Sequence, residues 1–219
     1  MPRPSTRILS PEIIARAALD MVRREHDFTI PGVAARLGVN PSSLYHHAPG
    51  GRAEIIALVR RELYAGIDCA ALRDSARPWR ERLAAWIREY RAASAVAPAS
   101  VPLLVGSAVD DEATLEIYEA LLSILADAGV PRADWIPLSA MLDAIVMGSA
   151  VDAGAPVPLW RVPEDPAAAA RFPLLREALP GADGSERPLQ GLDLAVTAAV
   201  AQVERHAQGT DDRARRHDH

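Results

Sequence analysis

Residues 29–52 read TIPGVAARLGVNPSSLYHHAPGGR. Thr29 suits the cap of a short helix, Pro31 sits in its first turn, and Val33, Ala34 and Leu37 give it an apolar face. Gly38 stops that helix, as glycine does just past a helix end. Asn40-Pro41 repeats the cap-and-proline signal and opens a helix of about two turns through Ser42, Ser43, Leu44, Tyr45 and His46. Pro49-Gly50-Gly51 ends it. Helix, glycine turn and capped helix form a helix-turn-helix, whose second helix can enter a DNA major groove about 12 Å wide. Ala34 is small where the two helices must cross closely, and Gly38 can take the left-handed conformation that the turn needs. Val39 and Leu44 are the apolar anchors. Ser42, Ser43, Tyr45, His46 and His47 are left on the other faces.

Upstream, Ser10-Pro11 starts a helix over about 10–25, with Ile13, Ile14, Ala17, Met21 and Val22 at helical spacing. Downstream, Ile56, Val59, Leu63 and Ile67 predict a fourth helix over about 52–70. Trp79, Leu83, Trp86 and Tyr90 mark a helix ending near Ala97-Pro98, and a shorter apolar segment covers residues 101–109. Further helices run from Asp110-Asp111-Glu112 to Gly129 and from Pro131 to about Asp152. Residues 153–188 are rich in Pro and Gly, with a helical stretch only over 167–178. A last helix spans Leu189 to about Gln208, and residues 209–219 read as a disordered polar tail. The pattern holds no strand and no internal repeat. The expectation is an all-α chain of about nine to ten helices. It comprises a three-helix helix-turn-helix domain over 1–52, a connecting helix over about 52–70, and a helical ligand and dimerisation bundle over 71–208.

The chain has 219 residues, 49% apolar and 24% charged, a globular composition with room for one small and one larger unit. The net charge of −5 hides an asymmetry. Residues 1–61 carry nine arginines against five acids, and residues 62–219 carry fifteen against twenty-four. A basic head on an acidic body suits an approach to a polyanion by the head alone. Lysine is absent, which codon bias explains, although arginine also grips phosphate through two parallel hydrogen bonds. The lone Cys69 excludes an intramolecular disulfide or a multi-cysteine zinc site, and suits a reducing cytosol. The start, MPRPSTRILSPEII, lacks the apolar run of a secretory signal. The apolar run 135–151 contains Asp143 and has bundle periodicity, whereas a membrane span needs about 20 mostly apolar residues, so no membrane partner is expected. The acids at 110–112 suit a helix start, and no metal or cofactor is expected. No Gly-rich phosphate loop, serine nucleophile elbow or His-Glu-x-x-His is present, which argues against an enzyme. An all-α small-molecule-binding or enzymatic protein without DNA binding is the alternative, and a helical module using the basic head for protein contact is a third.

The run Val33-Ala34-Ala35-Arg36-Leu37-Gly38-Val39, followed by Leu44-Tyr45-His46-His47, resembles the DNA-binding domain of the TetR family of transcriptional regulators over about residues 10–68. The resemblance implies a cytoplasmic, dimeric, ligand-responsive repressor released from a palindromic operator by a small molecule. It implies DNA contacts by Tyr45 and His47. Thr29, Arg36, Asn40, Ser42, Ser43, His46 and Arg52 are further candidates, with Arg3 and Arg7 as additional backbone clamps. A core tyrosine, solvated histidines and an ordinary arginine-bearing face remain the plain readings of the same residues. This sequence departs from the family at Ala48, where a bulkier apolar residue is usual, and at Gly51, where a lysine is usual and Arg52 stands next to it. Pro31 cannot donate a backbone N–H at its end of the helix. The second helix lacks arginine, so specificity would rest on several weak contacts and on DNA shape. In the body, the resemblance implies a small-molecule cavity, with Trp86, Tyr90, Leu104, Tyr118, Trp135, Met141 and Asp143 as candidate lining. Core packing is the plainer reading of each of the large side chains taken singly. It also implies a four-helix dimer interface built on the small residues Ala140, Ala144 and Gly148 and on Ala195, Ala198, Ala199 and Ala201. An alanine-lined intrachain core predicts the same pattern.

Overall fold

Caps and prolines set where the first helices begin. In the computed structural model, which describes residues 9–153, 160–179 and 187–217, Ser10 caps α1 (Pro11–Glu25) by accepting from the Ile13 N–H. Thr29 caps α2 (Ile30–Leu37), its hydroxyl accepting from the Gly32 N–H at 3.0 Å. Asn40 occupies the cap position of α3 (Pro41–Tyr45) but makes no side-chain cap bond. After Gly51 comes α4 (Arg52–Tyr64), then α5 (Cys69–Arg73), capped by Asp68, and α6 (Trp79–Ala95). A 3-10 turn at Pro98–Ser100 leads into α7 (Val101–Val105). Asp111 caps α8 (Glu112–Asp127), and α9 (Arg132–Ala153) follows. Two short helices, α10 (Pro166–Ala169) and α11 (Pro173–Ala178), precede α12 (Arg187–His217).

The fold is all-α, with no strand among the described residues. Twelve α-helices are described rather than nine or ten. The expected helix over 52–70 stops at Tyr64, and Asp68 caps a separate turn. The expected stretch over 167–178 divides at Phe172-Pro173, because proline cannot continue the preceding hydrogen-bond ladder. The backbone of α12 stays helical through His217, past the boundary drawn for a disordered tail. Arg3 and Arg7 lie outside the described residues, as do 154–159 and 180–186 of the Pro- and Gly-rich segment.

One apolar core joins the head to the body. In the head, Ile14, Val22, Phe28, Val33 and Leu44 are buried where α1 packs on α4 and α2 on α3. In the body, Trp86, Ile87, Leu121, Ile124, Leu142 and Val146 are buried among α6, α8 and α9. Two buried arginines tie helices together. Arg82 of α6 donates to the carbonyls of Leu72 and Arg77 and to Asp127 at 2.6 Å. Arg60 of α4 does the same for the segment after α7, as detailed below.

By length and composition alone, α9 could cross a membrane. One side packs on α6, α8 and α12, while Ile136, Ala140, Ala144, Gly148 and Val151 are exposed. It was expected to be a buried bundle helix, and it is buried on one face only.

Gly38 sits at φ +70°, where a side chain is strained even though open space surrounds it. Gly38→Ala is expected to cost about 1–2 kcal/mol in urea unfolding of the full chain, with helix content unchanged below the transition.

Candidate nucleic-acid interface and internal cavity

The second helix of the motif stands on one buried residue. Leu44 is 1% exposed, and Ala48, also buried, closes the next turn with its N–H bonded to the Leu44 carbonyl at 2.8 Å. Ala48 fills a site where the family usually has a larger apolar group. Around this anchor Asn40, Ser42 and His46 are exposed, and Ser43 and His47 are half-buried. Tyr45 is 49% exposed, so it is not a core aromatic. Its ring is backed by the N-terminus of α4, since a Cβ on Gly51 would come 3.5 Å from it. Gly51 has φ 63° and ψ −128°, a geometry that favours glycine over the lysine usual there. Thr29 is exposed, with its hydroxyl already engaged in the cap.

Two arginines beside the motif, Arg36 and Arg52, are paired within the chain. Arg36 donates to Asp20 at 3.0 Å. Arg52 donates to the Phe28 carbonyl and to Asp27, and its guanidinium lies 4.6 Å from the centre of the Phe28 ring. That bond from Arg52, together with the Phe28 N–H, holds the Asp27 carboxyl below its ordinary range. Both arginines therefore meet a phosphate only in competition with a carboxylate.

About 12 Å along α4 from Arg52, the same helix forms a wall of a cavity of about 330 Å³ that is open to solvent on one side, where Val105, Ala140 and Ala144 are exposed. Arg60 and Tyr64 come from α4, and Tyr90 from α6. Leu104, Val105, Ser107 and Val109 come from α7 and the loop after it, Thr114 and Tyr118 from α8, and Ala140, Asp143, Ala144 and Met147 from α9. The Arg60 guanidinium, almost fully buried, donates to the carbonyls of Leu104, Ser107 and Ala108 at 2.6–2.8 Å and lies 3.5 Å from Asp111. It thereby pins the end of α7 and the start of α8 to α4. The Tyr118 hydroxyl donates to Asp143 Oδ2 at 2.6 Å. Burial pushes the Asp143 carboxyl up, and the Tyr118 bond brings it partly back. Burial also raises the Tyr90 and Tyr118 phenols, the latter further through its bond to Asp143.

Of the candidate ligand residues, Tyr90, Leu104, Tyr118 and Asp143 meet at this cavity. Trp86, Trp135 and Met141 do not line it. Trp86 lies one turn before Tyr90, sealed in the core with its indole N–H on the Ile117 carbonyl at 2.8 Å. Trp135 closes the turn into α9 by donating to the Val130 carbonyl. Met141 is two residues from Asp143, nearly opposite on the helix. Arg60 and Tyr64 were missed. The signal for Arg60 was an arginine set within the apolar stripe of Ile56, Val59 and Leu63.

Residues 74–194, more than half of the chain, match the family model described as "Tetracyclin repressor-like, C-terminal domain". The chain belongs to the TetR family. Members of this family are transcriptional regulators and not enzymes. No curated protein matches the sequence significantly. Solved TetR-like structures share the fold at low identity. A possible TetR family transcriptional regulator from Streptomyces coelicolor A3(2) has 18% identity and a TM-score of 0.70, covering 89% of this chain and 98% of that one. A TetR variant from Acinetobacter baumannii AYE, in complex with minocycline, has 16% identity and a TM-score of 0.65, covering 90% and 97%. BioQ with its natural double-stranded DNA operator has 20% identity and a TM-score of 0.61, covering 90% and 99%.

Proposed function

We propose that this chain is a dimeric transcriptional repressor whose hold on a palindromic operator is released by a small molecule. The observation that carries this reading is the placement of α4, a single helix with the helix-turn-helix at one end and cavity residues Arg60 and Tyr64 further along. Solved relatives support both halves of it: one is bound to minocycline and another to operator DNA. The chain divides into a reading head over 1–52, the connecting α4, and a ligand and dimer body.

Thr29, Asn40, Ser42, Ser43, Tyr45, His46 and His47 face the duplex, and Arg36 and Arg52 reach phosphates by exchanging their internal carboxylates. Tyr90, Leu104, Tyr118 and Asp143 receive the effector, together with Arg60 and Tyr64. α9 pairs with its copy through Ile136, Gly148 and Val151, beside the cavity edge that Ala140 and Ala144 form, and with α12, whose Leu194 is 74% exposed and whose Ala198 is exposed beside it. A two-fold dimer presents two reading helices to paired half-sites. An effector that fits only one position of α4 shifts the separation of the heads and so favours the DNA-free state. Such a protein works in the cytosol, where the chromosome is accessible.

Fluorescence anisotropy on a duplex selected from a random library tests the reading. Tyr45→Ala is expected to weaken operator binding by more than about ten-fold with helix content retained, and wild-type binding should fall linearly in log affinity against log salt. Unchanged affinity in Tyr45→Ala would remove α3 as the reading helix.

A further inference from the structure

Two charged side chains reach the cavity, and they differ in how much of their bonding capacity is in use. Arg60 is spent: its guanidinium faces three backbone carbonyls and Asp111. An anion entering the cavity would have to break those bonds to gain it. Asp143 is half spent. Its Oδ2 takes the Tyr118 hydroxyl, whereas Oδ1 is buried and accepts no hydrogen bond from the described residues. A buried carboxylate oxygen without a donor is costly, so a ligand that supplies one gains here; the Tyr64 hydroxyl, the other buried polar atom of the wall without a partner among the described residues, carries no charge.

The surroundings favour a positively charged donor. Tyr64, Tyr90 and Tyr118 border the same space, and the Tyr64 and Tyr90 rings meet edge to face with centroids 5.1 Å apart. Phenol rings attract cations held near their faces. Of the remaining wall, Leu104, Val109, Ala144 and Met147 are apolar, and the hydroxyls of Ser107 and Thr114 already donate to the Leu103 carbonyl and to Asp111. The volume of about 330 Å³ is at the small end for ligand sites.

We propose that the cavity selects compact organic monocations, an apolar body carrying one protonated amine whose N–H donates to Asp143 Oδ1 among the three tyrosines. This rests on the cavity being the effector site proposed above.

Phenylbutylamine, phenylbutanol and phenylbutyrate share a body and differ in the charge at one end. Calorimetric titration of the full chain with each is expected to give an amine affinity at least about ten-fold above the alcohol, with the carboxylate weakest. Asp143→Asn keeps the shape and an acceptor for Tyr118. It is expected to abolish the amine preference, while unchanged helix content and a melting temperature near that of the wild type report an intact fold. Carboxylate binding equal to or above the amine, a preference that survives Asp143→Asn, or no binding of any of the three overturns the proposal. Operator anisotropy separates it from the effector reading. Amine binding through Asp143 without DNA release keeps the ligand class and rejects the effector role. Release by phenylbutyrate, independent of Asp143, does the reverse.

Discussion

Arg60→Met is expected to destabilise the chain by about 3–5 kcal/mol in urea unfolding at fixed protein concentration. Methionine has similar bulk and an unbranched stem, so the space is largely refilled and packing loss is small. What disappears is the donor set. The carbonyls of Leu104, Ser107 and Ala108 lose their shared partner, and Asp111, itself largely buried, loses its counter-charge. Removing one side of a buried polar cluster costs the full desolvation of the groups left behind. The five-residue α7 cannot hold its own position, so the loop over 106–111 loosens and the cavity wall goes with it. Effector release of DNA should weaken even where folded protein persists, because Arg60 ties α4 to the far wall. A loss below about 1 kcal/mol would mean that water replaces the guanidinium readily and that Arg60 is no clamp.

Trp86→Ala is expected to cost a similar about 3–5 kcal/mol, through a cavity rather than through lost polarity. Trp86 is fully buried, packs edge to face on Tyr90 at 5.2 Å, and bonds the Ile117 carbonyl of α8. Trp86→Phe keeps most of the ring and loses the N–H, so about 1–2 kcal/mol is expected for it. The difference between the two variants separates packing from hydrogen bonding. Tyr90 leans on this indole, so the alanine variant should also bind cavity ligands less tightly, although Trp86 touches none of the cavity itself. Equal losses in the two variants would place the whole effect on the hydrogen bond.

Interactions spanning three to five positions were legible in the sequence. The Thr29 cap and the left-handed Gly38 each act on near neighbours, and both stand where their residue types demand. The body was legible as a set of helices but not as a cavity. Periodicity tells which face of α6 or α9 is apolar, yet not which turn of that face meets a neighbour and which meets a void. Hence Tyr90 lines the cavity while Trp86, one turn away on the same stripe, is core. Long-range pairs were not legible at all. The acceptors of Arg60 lie 44 to 51 positions downstream, and Asp27 is 25 positions before Arg52. No local pattern links them. Arginine by itself says only that a planar cation needs acceptors somewhere.

The internal carboxylates of the head bear on how such a protein would travel. Asp20 and Asp27 already pair with Arg36 and Arg52, so a duplex phosphate gains these cations only by displacing a carboxylate, at a cost of up to about 1 kcal/mol for each exposed pair. Sequence-blind sticking is thereby dulled, since it draws on cations free to meet phosphate. A head so arranged trades some grip on any stretch of duplex for a shorter stay on the wrong one.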